Sequence, residues 1–222
     1  MTSGSTRIVL ALALILGVSP LSASSQVVLH FDDLSFLNYD PLPATYGDGL
    51  DPQVPDVQYR TFHADGVTVF EEHLELWHLD YGGLSNVVFA SANGTIAEIM
   101  LIPEIGFGVR LVSFAMAGYS QVDRANTLMR ILDAEGNVVF DFAANGPVPI
   151  LGANGASSVF TPNIALGGPL RLQWGTDWNV GLDNLVFEGL PLASVPEPST
   201  NFLLLLGLLA LGAGRWCRRN RT

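Results

Sequence analysis

The sequence predicts an all-β domain, a single sandwich or jelly roll, held between two apolar terminal segments. Three observations predict it. Short runs rich in β-branched and aromatic residues recur through the middle of the chain, separated by Gly, Pro, Asn and Asp. No segment between the termini carries an apolar stripe at helical spacing over a useful length. The 222 residues include 23 glycines and 13 prolines, a turn-rich composition that suits many short strands.

Residues 1–25 read as a secretory signal peptide. Arg7 supplies a positive start, residues 8–18 are an unbroken apolar or small run, and Pro20 ends it. Ser22-Ala23-Ser24-Ser25 then offers small side chains to a signal peptidase, with cleavage expected before Gln26. An internal helix would show a polar face, and this segment has none.

Residues 26–193 have the size of one domain. Strands are expected at 27–31, 57–62, 67–70, 86–90, 96–102, 109–115, 127–133, 138–142, 157–160, 170–174 and 181–187. The stretch 38–55, with Pro41, Pro43, Pro52 and Pro55, is expected to be a long loop, functional or a cover over the mouth of the sandwich. In 110–116, Val112, Phe114 and Met116 are expected to share a face with Arg110. In 170–174, Leu170, Leu172 and Trp174 face one way and Arg171 and Gln173 the other. Asp133-Ala134-Glu135-Gly136-Asn137 is a hairpin loop with its glycine placed for a positive φ. Leu182 and Leu185 are spaced by three, so a bulge near Asp183-Asn184 is needed to turn both inward.

Charge narrows the function classes. Residues 26–195 hold 20 of the 21 acids against five arginines, Arg60, Arg110, Arg124, Arg130 and Arg171, a net charge of −15. Such a body repels a phosphate backbone, so nucleic acid is not its partner. The single cysteine, Cys217, lies in the C-terminal segment. The body therefore has no disulfide, no cysteine nucleophile and no thiolate metal site.

The C-terminal segment 194–222 has three parts. Val195-Pro196-Glu197-Pro198-Ser199-Thr200 precedes an apolar run at 202–214, and Arg215, Arg218, Arg219 and Arg221 follow it. Thirteen residues make a helix of roughly 20 Å, short of a ~30 Å hydrocarbon core, which Trp216 and the arginines extend by snorkelling. Arginines after the helix hold that end in the cytoplasm and leave the acidic body outside. The prolines keep Glu197 extended at the membrane surface, open to an enzyme. This arrangement resembles the PEP-CTERM sorting signal of bacteria that make exopolysaccharide. The resemblance implies recognition of Pro196, Glu197 and Pro198 by an exosortase. It further implies an inner-membrane-tethered precursor that becomes a cell-surface or extracellular protein.

A second resemblance lies in the body. His30-Phe31-Asp32-Asp33 closes the first strand, and Leu182-Asp183-Asn184-Leu185-Val186-Phe187 is the last. These are similar to the terminal strands of galactose-binding-type jelly rolls. The resemblance implies that first and last strands are neighbours and that acids near them hold a structural Ca²⁺. Asp32, Asp33 and Asp183 are the candidate ligands, since hard oxygens abound and thiolates are absent. The competing reading is that Asp33 and Asp183 cap turns or pair with an arginine.

Other candidates are weaker. On a strand, His73, Glu75 and Trp77 would share a face, and a His–Glu pair at this spacing suits a transition metal as well as an ordinary polar surface. No Gly-x-Ser-x-Gly elbow occurs, and no carboxylate pair stands out from the Glu71, Glu72, Glu75 and Asp80 cluster. Trp77, Tyr81, Tyr119, Trp174 and Trp178 are enough for a sugar-stacking platform. Trp178 follows a turn and is the expected exposed residue, while Trp174 alternates with leucines and belongs to the core. The expected function is that of a non-catalytic, exosortase-sorted surface or matrix protein that binds polysaccharide. The alternative is a secreted glycan hydrolase using a carboxylate pair.

Overall fold

The computed structural model describes residues 26–192, apart from positions 50, 52, 125, 126, 147, 177 and 178. In chain order its strands are β1 (Gln26–Leu29), β2 (Asp56–Phe62), β3 (Val69–Glu71), β4 (Glu75–Trp77) and β5 (Val87–Phe89). They continue with β6 (Ile96–Ile102), β7 (Phe107–Gly118), β8 (Leu128–Leu132) and β9 (Val138–Asp141). The set ends with β10 (Ser158–Phe160), β11 (Ile164–Leu166), β12 (Leu170–Gly175) and β13 (Val180–Pro191). No α-helix occurs among the described residues.

Two antiparallel sheets result. One has the order β10-β7-β13-β5-β4, with β1 also on β13 and β11 also on β7; the other has the order β3-β2-β6-β12-β8-β9. Their inner faces form one apolar core in which Phe31, Ile99, Phe114, Leu172, Trp174, Leu182 and Phe187 are all buried. β12 follows the expected alternation, with Leu170, Leu172 and Trp174 inward. The β8–β9 hairpin closes at Asp133–Asn137, where Gly136 has φ of 87° and the Asn137 N–H donates to Asp133 Oδ1 at 2.8 Å.

The first and last strands are neighbours. Gln26 lies opposite Glu188 and Leu29 opposite Leu185, while β7 flanks the other side of β13 over its whole length. The register of β13 on β7 shifts between Asp183 and Val186 and again before Phe187. Asn184 sits there exposed with φ of 52°, and Leu182 and Leu185 are both fully buried. Burying each leucine is worth roughly 1.5–3 kcal/mol. A left-handed residue costs roughly 1–2 kcal/mol, and less for Asn, so the core contacts outweigh the distortion.

The opposite strand departs from the sequence reading. Val109 and Leu111 face the core, but so do Phe114 and Met116. The inward face of β7 therefore changes parity between Leu111 and Phe114, and Val112 does not join Phe114 and Met116 in the core. The cause is the same irregularity, since Ser113 and Leu111 pair with the consecutive residues Val186 and Phe187.

The outer face of the second sheet is not wholly solvated. Glu98 and Gln173 are completely buried there. Arg171 donates through Nε to Glu98 Oε2 at 2.8 Å, and Gln173 Nε2 donates to the same oxygen at 2.7 Å. Arg130 donates to Gln173 Oε1 through both Nε and Nη2, at 2.9 and 2.8 Å. The β2–β3 turn covers this network, with Gln173 Nε2 donating to the Gly66 carbonyl at 3.4 Å. Paired through Oε2, the Glu98 carboxylate persists in a low-dielectric site where a lone charge would not, although its Oε1 has no hydrogen-bond partner among the described residues.

Candidate functional site

Two places gather the residues singled out from sequence. The first is the corner where β1 leaves the sheet. The β13 bulge brings Asp183 beside it, buried, and the negative charge of Asp32 acts on the Asp183 carboxyl. Burial, and then Asp32, hold that carboxyl up to about 6, against the opposing pull of the Asn184 N–H. Asn184 donates to both Asp183 oxygens, from its backbone N–H at 2.6 Å and its side-chain amide at 3.0 Å. Asp32 Oδ1 accepts from Ser85 Oγ and Asn86 Nδ2, each at 2.8 Å, which ties the corner to the start of β5. Asp33 Oδ1 accepts from the Tyr46 hydroxyl at 2.8 Å. Burial and this carboxylate push the Tyr46 phenol up. The three aspartates thus share a corner, and Asp32 and Asp33 each commit one oxygen to a protein donor. They do not form a set whose ligand atoms all lie within 4.8 Å of one another; among the described residues Glu71, His73 and Glu75 do.

The second place is an aromatic ledge beside β4. The segment 38–42, expected as loop, is stitched to this strand. The Tyr39 N–H donates to Leu76 O at 2.9 Å, Leu76 N–H to Asp40 O at 3.0 Å and Leu42 N–H to Leu74 O at 2.8 Å. The pairing holds Tyr39, 57% exposed, edge-on to Trp77 with ring centroids 4.8 Å apart. Trp77 in turn meets Tyr119 edge-on at 5.2 Å. Tyr81 and Phe89 lie beneath, buried. Beside the ledge runs a groove of about 300 Å³ lined by Phe36, Leu37, Asn38, Trp77, His78, Leu79 and Asp80. Flat, partly wet rings next to an amide, an imidazole and a carboxylate can stack on a pyranose face and bond its hydroxyls.

The sequence named Trp77 and Tyr119 for such a platform and missed Tyr39, whose neighbours in the chain give no sign of it. Tyr81 and Trp174 are core residues. Trp178 lies outside the described residues, as do Pro196, Glu197, Pro198, Arg215, Arg218, Arg219 and Arg221. His73 and Glu75 do not share a strand, because the chain passes between sheets from Glu71 to Glu75.

Comparison with known families decides what the tail is. The profile of the PEP-CTERM protein-sorting motif matches residues 194–219. The chain carries a PEP-CTERM sorting motif. Proteins with this motif are exported, and an exosortase sorts them. No helix among the described residues is long and apolar enough to cross a membrane, and the apolar run of the PEP-CTERM segment lies outside them.

No curated protein sequence matches this chain. Among solved structures it is similar to an isomalto-dextranase of Arthrobacter globiformis T6 complexed with panose, at 10% identity and a TM-score of 0.31, covering 76% of this chain and 33% of that one. It is similar to the CBM22-1 xylan-binding domain of Xyn10C from Paenibacillus barcinonensis, at 8% identity and 0.29, covering 78% and 99%. The K3 cleaved adhesin domain of Lys-gingipain from Porphyromonas gingivalis is matched at 10% identity and 0.27, covering 75% and 99%. All three likenesses are distant, and the chain spans about a third of the length of the isomalto-dextranase.

Proposed function

We propose that this protein is a non-catalytic polysaccharide-binding module of the cell surface or extracellular matrix. Its tail holds the precursor at the inner membrane until an exosortase acts there. The observation that carries the binding reading is the Tyr39–Trp77–Tyr119 ledge, where three aromatic rings from distant parts of the chain meet at the surface. An aromatic cluster is ordinarily buried, and one left half in water beside polar groups suits a ligand with both apolar and hydroxylated faces. In the same reading Asp32, Asp33 and Asp183 hold a structural calcium ion at the β1 corner. Their hard carboxylate oxygens are of the class that ion takes.

The binding reading is tested on a glycan array with the full-length chain in detergent, followed by titration of any glycan retained. Trp77→Ala is expected to cost roughly 2 kcal/mol, about 30-fold in affinity, as for a central aromatic anchor. Undiminished binding by that variant moves the site elsewhere. Release of shortened glycan would replace the module with a hydrolase.

A further inference from the structure

Glu71 ends β3 at the edge of one sheet, and Glu75 begins β4 in the other. The three residues between them carry the chain across the sandwich corner, with Leu74 fully buried as the pin. His73 lies in this crossing, its carbonyl fixed by the Thr61 hydroxyl at 2.8 Å. The topology therefore aims three metal-binding side chains at one spot. One ligand atom from each of Glu71, His73 and Glu75 lies within 4.8 Å of the other two, and His73 Nε2 is 3.4 Å from Glu71 Oε2. Two features mark the spot as more than a polar surface. Glu71 Oε2 and Glu75 Oε2 are both shielded from solvent, and neither accepts a hydrogen bond from a described residue. The arginine closest in the sheet, Arg60, is engaged by Glu72 instead, through Nε at 3.0 Å.

We propose that Glu71, His73 and Glu75 bind one divalent transition metal of the zinc class, which clasps the two sheets together at this corner. An imidazole with two carboxylates suits a borderline ion such as Zn²⁺ or Co²⁺. Ca²⁺ takes six to eight oxygens and is a poorer match for this set. Three protein ligands leave one position of a tetrahedral shell for water, and the partly exposed His73 and Glu71 side chains give the ion a route in. The two carboxylates stand close together and repel each other without a cation. The metal would replace that repulsion with a cross-link.

The test is titration of the metal-stripped, full-length chain in detergent with Co²⁺, then Zn²⁺. The expected result is visible ligand-field absorption saturating at one Co²⁺ per chain, displaced by Zn²⁺, with a higher melting temperature in Zn²⁺ than in chelator. His73→Ala should abolish the absorption and the shift, and Glu135→Gln, exposed in the β8–β9 hairpin loop, should keep both. Glu75→Gln removes a ligand and also a repulsion, so it should melt no lower than the parent in chelator yet lose the Zn²⁺ response. Absence of saturable Co²⁺ binding, or equal binding by His73→Ala, overturns the proposal.

Discussion

Glu75 and Asp183 are acids whose protons are held more tightly in the folded chain than in the unfolded one. Burial comes first for both, with a second carboxylate adding to it, and they titrate near 7 and near 6. An acid with a raised folded pKa stabilises the fold at low pH and loses that contribution as pH rises through the folded value. Asp65 does the reverse. Two backbone N–H groups, of Val67 and Thr68, and the Thr68 hydroxyl hold it down at about 2, so its contribution is present at neutral pH and is lost as pH falls towards that value. In chelator, the melting temperature is therefore expected to rise from about pH 8 to about pH 5 and to fall below about pH 4. Asp183→Asn should flatten the upper limb. A melting temperature that instead climbs between about pH 5 and pH 8 would contradict the burial of these two acids.

At the scale of the strand, β13 is the element that closes the sandwich. It pairs with β7 along one side and with β5 and β1 along the other. Its bulge depends on Asn184, which takes the left-handed conformation with φ of 52°. Asn184→Val places a β-branched residue there and is expected to cost roughly 1–2 kcal/mol in urea unfolding. Asn184→Gly, free to adopt the same φ, should stay close to the parent. Equal stability of the two variants would mean that the strand can run straight, at the expense of turning Leu182 or Leu185 out of the core. The spacing of those leucines made the bulge legible from sequence. The parity change in β7 was not, because it is forced by the partner strand and leaves no mark in the local alternation. The segment 39–42 reads as loop for a related reason: its backbone bonds go to β4, about 35 residues further along.

For the whole molecule, charge and tail set the context. A body at −15 repels itself, so added cations should raise its melting temperature. Ca²⁺ is expected to exceed Mg²⁺ at equal concentration if Asp32, Asp33 and Asp183 hold an ion, and equal effects would reduce the result to screening. In the producing cell, Glu197→Ala should leave full-length precursor in the membrane fraction, since the apolar run and the arginines remain while the recognition residue is gone. Immunoblotting of cell fractions reads this directly, and normal maturation of the variant would count against exosortase recognition at this motif.

The sequence alone determined what depends on order along the chain. Periodicity marked most strands, glycine placement marked the β8–β9 hairpin, and the contiguous Pro196-Glu197-Pro198, apolar run and arginines marked the tail. Only the tertiary structure decided what depends on meeting. Tyr39, Trp77 and Tyr119 form one ledge because contacts between residues far apart in the chain bring them together, and no local pattern encodes that. Glu98 and Gln173 alternate as outward polar residues should, yet they are buried, because a turn from another part of the chain folds over them. Glu71 and Glu75 face one point because the chain changes sheets between them. Local spacing fixes which way a side chain points relative to its own strand; what it then touches is set by residues far away in sequence.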